Sequence, residues 1–288
     1  MNIKDALKIG YNQLKNSPDK NHGLEAEKLL AFILEKSREY LLTHPEKTIS
    51  AAQLKKYLLL LKRRLSSWPL AYLVGQKSFY DLNFYVNQDV LVPRPETEIM
   101  VDEILNLTAQ AKMPLNIIDV GTGSGCIIIA VAKNLKKIKA ELLGIDISKS
   151  ALEVAKNNAV LNHAKNIKFI KSDLLQTLIN NPKYKNIKGH LIIAANLPYL
   201  TPKQFAASPS IQHEPRIALV AGLDGLKYYQ ELFEQVNKIK AAKITILCEI
   251  NPEQKNGLIG LINKFLGTAA YQIKNDLAGL DRLMIISL

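Results

Sequence analysis

From about residue 97 onward, short apolar segments alternate with amphipathic ones, and this alternation limits the possible folds more than any other feature of the chain. The apolar segments are rich in Ile, Leu and Val and have the length of buried strands. They are Leu115–Val120, Glu141–Asp146, Ile167–Ser172, Leu191–Ala195, Lys243–Ile250, Tyr271–Lys274 and Arg282–Ser287. A typical connecting helix starts after Ser148, an N-cap residue. The pattern predicts an α/β fold whose mostly parallel sheet is covered by helices on both faces.

Residues 1–75 are predicted to form a small helical domain, because apolar residues recur there at helical spacing. Ser50 and Gln53 have the spacing of a capping box, in which two side chains satisfy free backbone donors at a helix start. Pro69 ends the helix that this box opens.

Residues 76–96 are predicted to form a β-hairpin that links the helical domain to an α/β domain over residues 97–288. Apolar and aromatic residues alternate with polar ones in this segment, as in half-buried strands. They are Phe79, Tyr80, Leu82, Phe84, Val86, Val90 and Val92. Pro93 and Pro95 close the hairpin because proline cannot donate to a strand ladder.

The composition excludes several classes of protein. A hydrophobic fraction of 48% is high enough for a packed core and excludes a wholly disordered chain. No apolar run approaches the ~20 residues of a membrane-spanning helix. The net charge of +12 comes mostly from lysines spread along the chain, whereas arginine is the better reader of phosphates and bases. We therefore expect no membrane association and no direct nucleic-acid substrate.

The cysteines and histidines predict neither a metal site nor a disulfide. The 5 histidines are isolated, and no Cys/His/carboxylate group has metal-ligand spacing. Cys126 and Cys248 lie in apolar segments, which is typical of buried thiols in a reducing cytoplasm.

A glycine-rich turn follows the first predicted strand of the α/β domain. Its sequence is Gly121-Thr122-Gly123-Ser124-Gly125. Glycine lets a ligand approach the backbone closely because no Cβ intervenes. The G-x-G-x-G spacing differs from the G-x-G-x-x-G of dinucleotide-binding proteins, and the Gly-Lys-Ser/Thr of a P-loop is missing. Taken alone, such a turn is also found where a strand and a helix simply pack closely.

Carboxylates end the next two predicted strands. Asp146 ends the second, where it can accept hydrogen bonds from both ribose hydroxyls of an adenosine lying over the glycine turn. Asp173 ends the third, where an acid often meets the adenine amino group. The turn and the two acids together resemble the class I S-adenosylmethionine methyltransferases, which have a Rossmann-like, seven-stranded, mostly parallel sheet. NAD is the alternative cofactor, and the glycine spacing disfavours it.

The fourth predicted strand ends in the sequence Asn196-Leu197-Pro198-Tyr199. An amide or exocyclic amine is a poor nucleophile because its lone pair is delocalised, so its methylation depends on positioning. The Asn196 side-chain oxygen and the Leu197 main-chain carbonyl can hold both N–H groups and aim the lone pair at a methyl donor. Tyr199 can stack on the flat acceptor. An ordinary strand-ending turn is the alternative interpretation.

Several segments together resemble the HemK/PrmC-type protein-glutamine N5-methyltransferases, which modify the glutamine of the Gly-Gly-Gln motif in class I peptide chain release factors. The most specific segment is Val86–Glu98. The others include Pro69–Gly75, Asp119–Gly125, Asp146–Ser148, Asn196–Tyr199, Gly222–Leu226 and Asp276–Arg282. The resemblance covers nearly the whole chain. It implies methyl transfer from S-adenosylmethionine to a release factor, with S-adenosylhomocysteine as the product and the helical domain helping to recognise the substrate.

The resemblance also implies roles for residues at matching positions. Asn196–Tyr199 would hold the substrate glutamine, and Arg94 and Glu96 would border it. The implied cofactor-binding residues are Gly121, Thr122, Gly123, Ser124, Gly125, Asp146, Ile147, Asp173, Leu174 and Asn196. Leu197 departs from the usual proline, which keeps the main-chain carbonyl but loses stiffness. Leu174 departs from a common aromatic residue and would pack on adenine by apolar contact only.

Other substrates stay open at this point. Glutamine methylation of a ribosomal protein uses the same fold and motif. N6-adenine methylation of ribosomal RNA also uses Asn-Leu-Pro-Tyr, but those enzymes carry the glycine turn near the N-terminus and the helical domain after the catalytic core. A non-catalytic cofactor- or RNA-binding protein would not need the Asn196 geometry. We expect a cytoplasmic monomer, because a loop of a large protein must enter the site.

Overall fold

The computed structural model describes residues 1–15, 21–135 and 140–288. Two compact units are present. The first is formed by Met1–Gln76 together with Pro209–His213, and the second by Lys77–Ser208 together with Glu214–Leu288.

The first unit is helical. Its helices are α1 (Ile3–Leu14), α2 (His22–Leu34), α3 (Arg38–Thr43), α4 (Ala51–Leu65) and α5 (Leu70–Val74). The predicted capping box is confirmed at the start of α4, where the Ser50 hydroxyl accepts from the Gln53 N–H and the Gln53 side chain accepts from the Ser50 N–H. Tyr57 is fully buried and donates its hydroxyl to the Ala26 carbonyl oxygen at 3.2 Å, which ties α4 to α2.

A two-stranded hairpin follows, with strands β1 (Gln76–Phe79) and β2 (Leu82–Tyr85). Tyr80 and Asp81 form its turn with φ values of 50° and 57°, the left-handed pair that matches the twist of a tight hairpin. The strands are shorter than predicted. Val86, Val90 and Val92 are buried, but they lie in irregular chain after β2.

The second unit contains a seven-stranded sheet, and all seven strands predicted for it are confirmed. They are β3 (Leu115–Val120), β4 (Ala140–Asp146), β5 (Ile167–Lys171), β6 (Asn186–Ala195), β7 (Lys240–Glu249), β8 (Ala270–Asn275) and β9 (Asp281–Ser287). The strand order is β5-β4-β3-β6-β7-β9-β8. The pairs from β5 to β7 are parallel, and β9 is antiparallel to both of its neighbours. The order reverses between β4 and β6 on either side of β3, which makes the carboxyl end of β3 a ligand-binding switch point.

Helices pack on both faces of the sheet, as predicted. The helices of this unit are α6 (Glu98–Ala109), α7 (Cys126–Asn134), α8 (Lys149–Leu161), α9 (Gln176–Ile179), α10 (Pro182–Lys185), α11 (Pro202–Ala206), α12 (Lys227–Val236) and α13 (Lys255–Phe265). Neighbouring residues of one strand enter different cores because strand side chains alternate. Ile118 packs in the core with α12 and α13, and Ile117 packs in the core with α6 and α7.

None of the helices in the described ranges is long and apolar enough to cross a membrane. Cys248 is buried and Cys126 is partly exposed, and both are free thiols.

Candidate active site

The glycine-rich turn connects β3 to α7 in a conformation that requires glycine. Gly121, Gly123 and Gly125 have φ values of 71°, 54° and 81°. The Gly121 and Thr122 N–H groups both donate to the Ile145 carbonyl oxygen of β4 at 2.9 Å. These bonds tie the start of the turn to the end of β4. Because glycine has no Cβ, a ligand can approach the backbone of the turn closely.

Asp146, at the end of β4, holds the turn in place. Its Oδ2 atom accepts from the Gly123 N–H at 2.9 Å, and its Oδ1 atom accepts from the Ser148 N–H at 2.8 Å. Burial raises the pKa of this carboxyl above its usual range. Each oxygen keeps a further lone pair for a ligand.

Asp119 supports the same turn from within the protein. It is 1% exposed, and its Oδ2 atom accepts a 2.6 Å bond from the Thr122 hydroxyl. Its Oδ1 atom has no hydrogen-bond partner among the described residues. Burial raises the pKa of the Asp119 carboxyl to about 7. No role was predicted for Asp119 itself, because nothing in the sequence shows a buried acid beneath the turn.

A cavity opens beside the turn, and most of the predicted cofactor residues line it. These are Gly121, Gly123, Asp146, Ile147, Asp173, Leu174 and Asn196. The other residues of the turn, Thr122, Ser124 and Gly125, are not among the lining residues. Side chains that sequence reasoning did not single out as cofactor residues complete the wall, including Asp89, Val90, Leu91, Ser172, Ile217 and Tyr228. Asp89–Leu91 lie inside the most specific segment of the family resemblance, which was the available signal.

Leu174 is a backbone outlier in this wall. It is 7% exposed and has a φ of 46°, the left-handed region that side-chain-bearing residues seldom adopt. Such strain persists only where the surrounding structure holds it, and it is concentrated at ligand sites.

The segment after β6 enters the same cavity. Asn196, Leu197 and Pro198 line it, whereas Tyr199 is not among the lining residues. The Leu197 side chain is 3% exposed, and its Cδ2 atom lies 3.4 Å from the place where a Cβ of Gly121 would be. Leucine at this position therefore packs directly against the glycine turn.

Gln254 holds the main chain of Tyr199 in place. Its Nε2 atom donates to the Tyr199 carbonyl oxygen at 2.8 Å and to the Gly225 carbonyl oxygen at 3.0 Å. Burial, followed by the nearby Glu249 carboxylate, raises the pKa of the Tyr199 phenol to about 12. Tyr199 is therefore a neutral side chain at physiological pH.

Asn196 is connected to two buried side chains. Its Nδ2 atom donates to the Thr97 hydroxyl oxygen at 3.1 Å, and that hydroxyl donates to the Glu249 Oε2 atom at 2.6 Å. Thr97 and Glu249 are 1% and 3% exposed. Burial is the main cause that raises the pKa of the Glu249 carboxyl to about 7. Behind them, the buried Tyr229 hydroxyl donates to the Glu249 main-chain carbonyl.

The predicted border residues Arg94 and Glu96 differ in their surroundings. Arg94 pairs with the buried Glu214 at 2.5 Å, and the other oxygen of Glu214 accepts from the Val92 N–H at 2.9 Å. Arg94 is thereby committed to fixing the chain that leads to Thr97. Glu96 is exposed. Neither residue is among those that line the cavity.

Asn158, fully buried on α8, ties the hairpin to the glycine turn. Its side chain accepts from the Tyr85 N–H at 2.7 Å and donates to the Tyr85 carbonyl oxygen at 2.9 Å. The same Nδ2 atom donates to the Ser124 carbonyl oxygen at 2.9 Å. One amide side chain thus pairs with a strand end and with the turn at once.

Comparisons with known proteins agree with this arrangement. A family model for the PrmC N-terminal domain matches residues 5–75, and a methyltransferase domain model matches residues 112–208. A release factor glutamine methyltransferase from Coxiella burnetii is 35% identical over 286 residues, which cover 99% of this chain and 98% of the relative. The chain belongs to the release factor glutamine methyltransferase family. A second relative with the same name, from Bacillus subtilis, is 34% identical over 97% of this chain and 96% of its own length.

The fold of this member of the release factor glutamine methyltransferase family recurs in solved structures. The hMettl16 catalytic domain in complex with MAT2A 3′UTR hairpin 6 superposes with a TM-score of 0.54 over 95% of this chain and 93% of the other. The sequence identity is 14%, so the likeness shows the fold alone, that of a class I methyltransferase. The predicted fold class is confirmed.

The cavity fits S-adenosylmethionine, the cofactor of this enzyme class. Gly121 and Gly123 offer backbone that an adenosine can approach, Asp146 has lone pairs for ribose hydroxyls, and Leu174 supplies an apolar surface. Asp173 is exposed at the rim, within reach of solvent and of a polar group. A carboxylate that accepts from the ribose hydroxyls and a glycine backbone that the ligand can approach are the features that an adenosine requires.

Proposed function

We propose that this enzyme methylates the N5 side-chain nitrogen of the glutamine in the Gly-Gly-Gln motif of class I peptide chain release factors. The substrate class comes from the relatives named release factor glutamine methyltransferase. The observation that carries the proposal to this chain is the place of Asn196 and Leu197, which line one cavity together with the glycine turn.

The two residues provide the acceptors that a primary amide needs. Among the described residues, no donor is bonded to the Oδ1 atom of Asn196 or to the main-chain carbonyl oxygen of Leu197. Two acceptors can bind the two N–H groups of a glutamine side chain. The lone pair of its nitrogen is then free to point toward a methyl donor in the cavity. Such positioning supplies most of the rate when the nucleophile is weak.

When bound, S-adenosylmethionine supplies an activated methyl group. In the proposed arrangement Gly121, Gly123 and Asp146 hold its adenosine half, while Ile147, Asp173 and Leu174 surround the base. Thr122, Ser124 and Gly125 belong to the same turn and shape it without lining the cavity. Asn196 and Leu197 bind the glutamine amide, Pro198 fixes their backbone, and Tyr199 borders the acceptor. Arg94 acts through its ion pair with Glu214, and Glu96 is available at the surface for the release factor.

The test is methyl transfer from labelled S-adenosylmethionine to a purified class I release factor. A release factor whose Gly-Gly-Gln glutamine is changed to alanine is the matched control. We expect label on the first and none on the second. A ribosomal protein and ribosomal RNA are offered in parallel, and label on either of these without label on the release factor would overturn the substrate while keeping the reaction.

The Asn196→Ala variant tests the acceptor residues separately from the cofactor site. We expect its turnover to fall about 100-fold or more, because one of two preorganised acceptors is lost. Binding of S-adenosylhomocysteine, measured by calorimetry, is expected to change little. Full turnover by this variant would contradict the assignment of Asn196.

The finer features of the proposal concern partners and location. We propose that the helical unit helps to recognise the release factor, that the enzyme acts as a monomer in the cytoplasm, and that nucleic acid is not its substrate. A monomer leaves the cavity open to a loop of a large protein. Sedimentation analysis and deletion of residues 1–75, followed by assay of release factor and free glutamine peptide, check these points.

A further inference from the structure

We propose that Thr97 and Glu249 are positioning residues, which fix the Asn196 side-chain amide with its oxygen toward the substrate amide. The inference rests on the proposed function, because it is a glutamine N–H that needs this oxygen. It adds two residues that are neither in the Asn-Leu-Pro-Tyr motif nor among the cavity-lining residues.

The number of available protons determines which atoms donate and which accept along Glu249, Thr97 and Asn196. A threonine hydroxyl has one proton to donate, and an ionised carboxylate can only accept. While Glu249 is ionised, the Thr97 proton lies on the 2.6 Å bond to it, so the Thr97 oxygen is left as an acceptor. The atom of Asn196 that faces Thr97 at 3.1 Å must therefore be the NH₂ group.

The opposite arm of the Asn196 amide is then the oxygen. Among the described residues no donor is bonded to it, and Asn196 lines the cavity. If the amide were turned over, its NH₂ group would meet the NH₂ group of the glutamine, and two donors cannot form a hydrogen bond. The order of donors along Glu249, Thr97 and Asn196 thus selects the productive orientation.

The three residues come from separate parts of the second unit. Thr97 precedes α6, Asn196 follows β6, and Glu249 ends β7. Thr97 and Glu249 are 1% and 3% exposed, so water does not compete for the bond between them. The Tyr229 hydroxyl donates to the Glu249 main-chain carbonyl and lies 3.5 Å from the Ala195 carbonyl oxygen. It therefore links the ends of the two strands that carry Asn196 and Glu249.

Thr97→Val removes the hydroxyl group but keeps the packing, because valine has nearly the same shape as threonine. We expect kcat to fall by about 10- to 100-fold, a loss of the size expected for one positioning hydrogen bond. The KM for S-adenosylmethionine should stay within about threefold of the wild-type value, and Thr97→Ser should restore most of the rate. Thr108→Val is the matched control, since Thr108 is equally buried on α6 but donates only to the Leu105 carbonyl oxygen of its own helix.

A second readout does not depend on turnover. The side-chain amide protons of Asn196 can be assigned by NMR from the signal that disappears in Asn196→Asp. In the wild type we expect one of them to exchange slowly with solvent, and in Thr97→Val we expect both to exchange quickly.

The two readouts separate the two proposals. Absence of release factor methylation by the wild type overturns the proposed function, whereas the NMR result still decides the orientation of Asn196. Unprotected Asn196 amide protons in the wild type, or unchanged kcat in Thr97→Val, overturn the positioning role. The wild-type exchange measurement needs only the Asn196→Asp variant for its assignment, so it stands even if Thr97→Val does not fold.

Discussion

The Thr97 hydroxyl donates a 2.6 Å hydrogen bond to the carboxylate of Glu249, which lies 152 residues further along the chain. Both side chains are buried, and neither lines the cavity. Their hydrogen bond therefore affects the bound substrate only indirectly, through the amide of Asn196.

The first prediction concerns the pH dependence of turnover. Burial is the main cause that raises the pKa of Glu249 to about 7; Glu96 acts in the same direction, whereas the hydrogen bond from Thr97 and the charges of Arg282 and Arg94 act against it. Below that pH the carboxyl is protonated and can donate, so the Thr97 proton is no longer confined to one direction. We expect the kcat of the wild type to fall as the pH decreases through about 7, with one ionisation. Glu249→Gln should remove this inflection, and a flat wild-type profile over the same range would refute the prediction.

The second prediction concerns stability and Asp119. Burial raises the pKa of Asp119 from 3.8 to about 7, so between these values the native state holds a proton that the unfolded state has lost. The stability that the protonated group contributes is present below the lower value and is lost as the pH rises to the upper one. In Asp119→Asn, the free energy of unfolding should decrease less across this pH range than in the wild type, by on the order of 4 kcal/mol. Parallel wild-type and variant curves would show that the carboxyl is ionised throughout.

The third prediction concerns Gly225, which has a φ of 74°. A Cβ there would lie 2.2 Å from the Tyr199 carbonyl oxygen and 2.2 Å from Nε2 of Gln254. Gly225→Ala should therefore displace the chain after Pro198 and lower kcat by about 10-fold or more, while the affinity for S-adenosylhomocysteine changes little.

Gly260→Ala is the control for this substitution. Gly260 lies within α13, and a Cβ there would meet nothing within 4 Å. Alanine in a helix interior should raise the free energy of unfolding by about 0.5–1 kcal/mol and leave turnover unchanged. Equal activity losses in both variants would show that Gly225 has no specific effect on Tyr199.

The fourth prediction concerns Asn158. In Asn158→Ala the N–H and carbonyl groups of Tyr85, whose bonds to Asn158 are partly buried, and the buried Ser124 carbonyl lose their hydrogen bonds to this side chain. We expect a loss of about 2–4 kcal/mol in the free energy of unfolding, because buried polar groups without partners are costly. Asn162→Ala provides the comparison, since Asn162 is partly exposed and its side chain bonds only to the Asn83 and Asn158 carbonyls. Its loss should be about 1 kcal/mol or less.

Much of the fold could be predicted because its signals are local. The central strands are nearly continuous apolar segments, and parallel strands end at one edge of a sheet, which places Asp146 and Asn196 at the same cavity. The capping box at Ser50 was equally readable, since its two partners are three residues apart. Periodicity and spacing are sufficient for features of this kind.

The rest depends on contacts between distant residues or on backbone shape. Thr97 gave no signal beyond its place in the Val86–Glu98 segment, because its partners are 99 and 152 residues away. Arg94 was predicted to border the substrate, but its ion pair with Glu214 is visible only in the folded chain. The hairpin was predicted too long because the buried valines after Tyr85 continue the apolar pattern outside the two strands. A role for Tyr199 in stacking stays a prediction.

The left-handed backbone of Leu174 restricts how this binding site can be re-engineered. A side chain branched at Cβ crowds the backbone in that region, so valine, isoleucine and threonine are unsuitable there. Residues with an unbranched Cβ, such as phenylalanine or tyrosine, can occupy the position with the same strain as leucine, and asparagine or glycine with less. A mutant library aimed at cofactor analogues with larger bases should therefore sample position 174 from this narrow set, and should seek its wider diversity at Ile147 and Ile217, which line the same cavity and are exposed.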